Sequence, residues 1–226
     1  MIEVVPFGGF KPQLLQFLSE LSANNTRDWF QAHYTDYQAV LVQPAKEFVL
    51  AMGDVLPELG EDIRAEPKVY GSILPITRDT RFSKDKTPYK THLDLWFWQP
   101  IDDAPSRECP GYYLRILPEA LMLGAGMHRF SDRAQAAFRR AVQEPAHAEN
   151  LARTTRQLAE SGYELAGETL KRPANGNDWL KYTGLHANQT FPVPDDFYSE
   201  RLTQWCLEHY RRLAPLQQWL VEILRE

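Results

Sequence analysis

Three closely spaced runs decide the fold class of this chain: His92-Leu93-Asp94-Leu95-Trp96-Phe97-Trp98, Gly111-Tyr112-Tyr113-Leu114-Arg115-Ile116-Leu117 and Ala120-Leu121-Met122-Leu123. The first sets Leu93, Leu95 and Phe97 against His92, Asp94, Trp96 and Trp98. The second sets Tyr112, Leu114 and Ile116 against Tyr113, Arg115 and Leu117. A period of two is the mark of a strand with two unlike faces. Only Pro118-Glu119 separates the second run from the third, a connection that suits a hairpin. Strands this near in sequence pair antiparallel, because a parallel pair needs a crossover of about a dozen residues. Tyr70 to Ile76 reads as a further strand, with Pro75 placing it at an edge or ending it.

Moving outward, the period changes to that of helices. Pro12 suits a first helical position, and Leu14, Leu15, Phe17, Leu18 and Leu21 follow with helical spacing. Asn24-Asn25-Thr26 breaks that helix and caps the next, and Pro44 restarts a helix that Pro57 and Gly60 stop. After the strands, Ser131 caps a helix and Pro145 to Glu160 forms another. Residues 163 to 194 read as irregular, and two closing helices meet at Pro215. The expectation is one α+β domain over residues 1–226. Its small antiparallel sheet comes from the middle third (strands within 68–124). Helices of the N- and C-terminal thirds (11–57, 131–161 and 195–225) cover it.

With 226 residues, 43% hydrophobic and 24% charged, the chain is apolar enough to build a core. Its net charge of -5 is the opposite of a generic nucleic-acid binder's, so any such role needs a local basic patch. No apolar run reaches the roughly 20 residues that cross a bilayer, and Met1 to Pro6 has no signal-peptide character. Cys109 and Cys206 are too few and too far apart for a disulfide framework. These features lead us to expect a cytoplasmic protein without a membrane partner. The six histidines show no paired metal-ligand spacing, no Gly-x-Ser-x-Gly elbow occurs, and Gly124-Ala125-Gly126 lacks the dinucleotide and P-loop spacings. No metal site and no cofactor is named by these patterns. They do not address oligomeric state.

The most unusual stretch is Arg78 to His92, which holds five Arg or Lys against two Asp and includes Pro88. It has neither helical nor strand periodicity and joins two strands, a place where function concentrates. It has two physical readings. In one, Arg78, Arg81, Lys86 and Lys90 hold an anion, with Tyr89 donating a hydrogen bond. Asp79, Asp85 or His92 then serve any proton transfer. In the other, the charges pair among themselves and pin the loop while Phe82 plugs the core. A nucleic-acid partner is a less favoured alternative to an anionic small molecule. Lys171 and Arg172, with Lys181 and Tyr182, suit either a lid over this loop or a solvated segment.

The same stretch resembles domain-of-unknown-function family 2461 of uncharacterised bacterial proteins. That family's signature is R-x-x-R-D-x-R-F-x-x-[DN]-K-x-x-Y. This chain supplies Arg78, Asp79, Arg81, Phe82, Asp85, Lys86 and Tyr89, and departs at the first position, where Pro75 stands. Asn24-Asn25 to Trp29-Phe30, Gly111-Tyr112-Tyr113 and Leu180-Lys181-Tyr182 are also similar to family segments. The resemblance spans nearly the whole chain and implies no particular activity.

Overall fold

In the computed structural model, which describes residues 6–81, 83–170 and 177–226, the alternation of the three runs becomes a sheet. Strands β1 (Leu93–Trp98), β2 (Gly111–Ile116) and β3 (Ala120–Met127) pair antiparallel in sequence order. The β2–β3 turn is closed by the Leu117 N–H donating to the Ala120 carbonyl at 2.9 Å. Two more strands, β4 (Glu164–Ala166) and β5 (Leu185–Pro192), complete an antiparallel sheet of order β1-β2-β3-β5-β4.

These last two strands correct the reading of 163–194 as irregular. Along β5, Leu185 and Ala187 are fully buried, whereas His186, Asn188 and Thr190 alternate onto the other face. Half of that strand is polar because its outer face meets no hydrophobic layer. Tyr70 to Ile76 departs in the opposite direction and is not a continuous strand. Ile73 bridges Leu95, the Leu74 N–H donates to the Asp94 carbonyl at 3.0 Å, and the Ser72 carbonyl accepts from Trp96 at 2.8 Å. The edge contact ends there, between Tyr70 at φ 68° and Pro75, which has no N–H to offer.

The helices follow the caps. α1 (Pro12–Ala23) starts at its proline, and α2 (Arg27–Ala32) is capped by Thr26 Oγ1, which accepts the Trp29 N–H at 3.3 Å. α3 (Tyr34–Asp36) passes through a π-helical turn, Tyr37–Val42, into α4 (Gln43–Val55). Ser131 caps α5 (Asp132–Ala141), and α6 (Pro145–Glu160) follows. The two closing helices expected around Pro215 are a single helix, α7 (Leu202–Arg225), while Phe197 lies in a separate short turn. Proline removes one backbone donor. Burial of Leu213, Leu216, Trp219, Leu220 and Ile223 on both sides of it holds the helix together.

Helix α7 lies against β3 and reaches β2 and β5. It therefore covers the β2–β3 part of the face formed by Leu95, Phe97, Tyr112, Leu114, Leu123 and Ala125, all fully buried, while Phe48 of α4 packs against Phe97. Each large side chain removed from water here contributes about 2 kcal/mol. Helices α4, α5 and α6 pack on α7 in turn. The opposite face of the sheet carries the other half of each strand's alternation.

Candidate functional site

The Arg78–His92 stretch is an excursion from a short ladder. Thr77 bridges Tyr89, the Arg78 N–H donates to the Pro88 carbonyl at 2.9 Å, and the Lys90 N–H donates to the Ile76 carbonyl at 2.6 Å. Helix α2 closes the ladder from outside. Asn25 uses its side-chain amide as a strand would, donating from Nδ2 to the Tyr89 carbonyl at 2.9 Å and accepting the Tyr89 N–H at 3.1 Å. The Tyr89 ring stacks on Phe30 with centroids 4.2 Å apart.

Within the excursion the charges are organised. Arg78 Nη1 donates to Asp85 and to the Thr87 hydroxyl, and lies 3.3 Å from the Thr87 carbonyl. Arg81 grips Asp79 through Nε at 3.0 and 3.2 Å and Nη2 at 2.7 Å. Lys86 Nζ donates to the Thr80 carbonyl at 2.8 Å. The Arg81 hydrogen bonds pull Asp79 down to about 2, and the Thr87 N–H and the Arg78 guanidinium do the same for Asp85. Carboxylates this acidic are poor proton acceptors near neutrality. Phe82, Lys171 and Arg172 lie outside the described residues.

The ladder and the start of α2 enclose a cleft of about 420 Å3 lined by Asn25, Thr26, Arg27, Thr77, Arg78, Thr80, Lys86, Pro88 and Tyr89. Of the residues expected from sequence, Arg78, Lys86 and Tyr89 line it. Asp79, Arg81 and Asp85 belong to the same loop without lining it. No acidic side chain is among its described lining residues, whereas three are cationic. Arg27 and the three threonines went unrecognised as site residues. Arg27 is an ordinary first-turn helix residue in sequence, and only the docking of α2 onto Tyr89 brings it to the loop.

Lys90 and His92 turn elsewhere. Lys90 Nζ and His92 Nε2 each lie 3.2 Å from Asp94 Oδ2, and Arg115 Nε reaches Asp94 Oδ1 at 2.6 Å. Asp94 is buried. Burial works against its charge, yet the hydrogen bonds of His92 and Arg115 prevail and hold its carboxyl well below the usual range. Asp94 and Arg115 entered the sequence reading only as strand alternation. They are direct partners across β1 and β2, a pairing that needs the register to be seen.

No helix among the described residues is long and apolar enough to cross a membrane. No curated protein and no solved structure matches the chain. A family model does, over residues 13–219, which includes the α2–Tyr89 junction, the basic loop and the whole sheet. The chain belongs to the family described as Conserved hypothetical protein (DUF2461).

Proposed function

We propose that the cleft between α2 and the basic loop binds an anionic, phosphorylated small molecule. The observation that carries this reading is the lining itself: Arg27, Arg78 and Lys86 face one cavity with the hydroxyl-bearing Thr26, Thr77 and Thr80, and no carboxylate lines it among the described residues. Guanidinium forks and hydroxyl donors are the groups that recognise phosphate oxygens. Arg78 is already held by Asp85 and Thr87, so little side-chain freedom is lost when an anion arrives. The Arg27 side chain makes no hydrogen bond or ion pair with the described residues, and that of Lys86 makes only its bond to the Thr80 carbonyl. Asp79 and Asp85 serve here as anchors for the arginines. The reading is thus a binding function, with any proton transfer left to the ligand or to groups it brings.

The test is a thermal-shift series with phosphate, pyrophosphate, nucleotides, sugar phosphates and short oligonucleotides, on wild type and on the double variant Arg27→Gln, Lys86→Gln. A ligand at a hundredfold over its Kd stabilises by about 2.7 kcal/mol, or roughly 5–10 °C for a chain of this size. One phosphorylated class should give that shift in wild type and lose most of it in the variant. No shift with any anion, or an equal shift in both proteins, overturns the reading. A shift only with oligonucleotides, falling steeply with salt, replaces it with nucleic-acid binding.

A further inference from the structure

On the face of the sheet away from α7, register sets three rows across the strands. One runs Asp94–Arg115–Met122, the next Trp96–Tyr113–Gly124–Asn188, and the third Trp98–Gly111–Gly126–His186. Side chains ordinarily stand up from a sheet. Here the glycines let two aromatic rings lie down on it. A Cβ at Gly124 would sit 2.5 Å from Tyr113 Cε1, Cζ and Oη, and one at Gly111 would sit 2.7 Å from Trp96 Cζ2. Each ring therefore occupies the space above its neighbour's backbone. Trp96 is locked there by its Nε1–H, which donates to the Ser106 carbonyl at 3.1 Å.

Above this floor is a cavity of about 480 Å3, separate in its lining from the cleft at the basic loop. Its two ends differ. At one, Arg115 spends Nε and Nη2 on Asp94, at 2.6 and 3.3 Å, and its Nη1 makes no hydrogen bond with the described residues. Asp94 is the one carboxylate among the cavity's described lining residues, against the guanidiniums of Arg115 and Arg107, and Lys90 pairs with it from outside the lining, so this end carries cationic excess. At the other end, the His186 Nδ1 is buried without a hydrogen-bond partner among the described residues, and the His128 and His186 ring centroids are 5.7 Å apart. Burial, with His128 and Arg115 nearby, pushes His186 down to about 4, so it meets a ligand as a neutral imidazole.

We propose that this open face is a second ligand site, which takes a planar aromatic or heteroaromatic acid. The ring stacks on the floor of Trp96 and Tyr113, the single acidic group is held by Arg115, and the ligand's far edge meets the imidazole of His186. A concave, mostly apolar lining with few convergent polar groups is the usual make-up of a small-molecule pocket. The cavity suits one acidic group better than a polyanion, because Arg115 is already paired with Asp94, Arg107 is the one other Arg or Lys among its described lining residues, and the floor is built from the Trp96 and Tyr113 rings.

The experiment titrates the intact protein with 2-naphthoate, with the isosteric amide 2-naphthamide, and with inorganic phosphate, by calorimetry. We expect 2-naphthoate to bind below roughly 1 mM and at least about tenfold more tightly than the amide. Arg115→Gln should abolish that preference. Met122→Trp, which fills the cavity while keeping the buried face of β3, should weaken both by about tenfold or more. Arg27→Gln with Lys86→Gln should change neither, and phosphate should not compete. If Arg115→Gln fails to fold, the acid-over-amide preference in wild type and the Met122→Trp loss decide the matter. Equal binding of acid and amide, no binding of either, or an unaffected Met122→Trp variant overturns the proposal.

Discussion

Asp94 sits among three donors, Lys90 and His92 at 3.2 Å and Arg115 at 2.6 Å, while burial takes it from water. His186, two rows away on the same face, is half-buried and pushed down to about 4. Both groups have depressed folded-state values, so both contribute stability that is lost on acidification, but in different windows. For Asp94 the stabilisation is complete above the ordinary carboxylate range and disappears as pH falls below about 4. For His186 the unfolded chain takes up a proton from about 6.5 downward while the folded chain resists until about 4. We therefore expect urea-unfolding free energy to fall by roughly 3 kcal/mol between pH 7 and 4 on account of His186. His186→Gln should flatten that limb. Asp94→Asn should cost about 2 kcal/mol at pH 7, because an amide replaces the charge its donors converge on. Its stability should then change less than wild type's between pH 4 and 2. Unfolding curves at four pH values check both, and an identical pH profile in all three proteins would contradict the assignments.

At the scale of an element, β3 shows how a strand can be shaped by what it lacks. Gly124 and Gly126 sit where Tyr113 and the β5 backbone come too close for a side chain, and Gly126 holds φ 131°. Gly124→Ala must lift the Tyr113 ring from its place, an overpacking that costs about 1–3 kcal/mol in unfolding free energy. Gly8→Ala, with nothing within 4 Å of the added carbon, should stay within about 0.5 kcal/mol. Equal effects would mean that Tyr113 does not need the glycine. The same strand explains a limit of sequence reading. In the sequence the pair matches no ligand-binding spacing, and the reason for it lies on β2 and β5, at positions eleven or more residues distant. Strands β1 to β3 were legible because their buried halves are strongly apolar and tightly spaced. β5 was not, because Leu185 and Ala187 are its only fully buried side chains among His, Asn, Gln and Thr. Pro215 misled in the opposite sense, since a well-buried helix tolerates one missing backbone bond.

For the whole molecule, the legible part of the site was the part written contiguously. Arg78 to Tyr89 is one excess of charge in one loop, and Arg78, Lys86 and Tyr89 line one cleft. Arg27 reaches that cleft, and Arg115, Tyr113 and His186 meet across the sheet, only after strands and helices from distant segments have assembled. That assembly rests on α7, whose buried face ties the inner sheet to α4, α5 and α6. The two free cysteines give a way to measure how far the assembly is one cooperative unit. Cys206 is fully buried on α7 with its thiol pushed well up by burial, so a thiol reagent reaches it only when the helix leaves the sheet. Cys109 is equally hidden, yet it lies in the 99–110 connection, where its Sγ donates to the nearby carbonyls of Ala104 and Pro105 at 3.7 and 3.5 Å. Opening that short connection frees Cys109 without disturbing α7. Labelling with Ellman's reagent, resolved by site, should therefore give Cys206 a protection free energy equal to that of global unfolding and steeply dependent on urea. Cys109 should give a smaller and nearly urea-independent one. If the two label at one rate with one urea dependence, the connection over Trp96 opens only with the fold, and the floor of the second site is as rigid as the core beneath it.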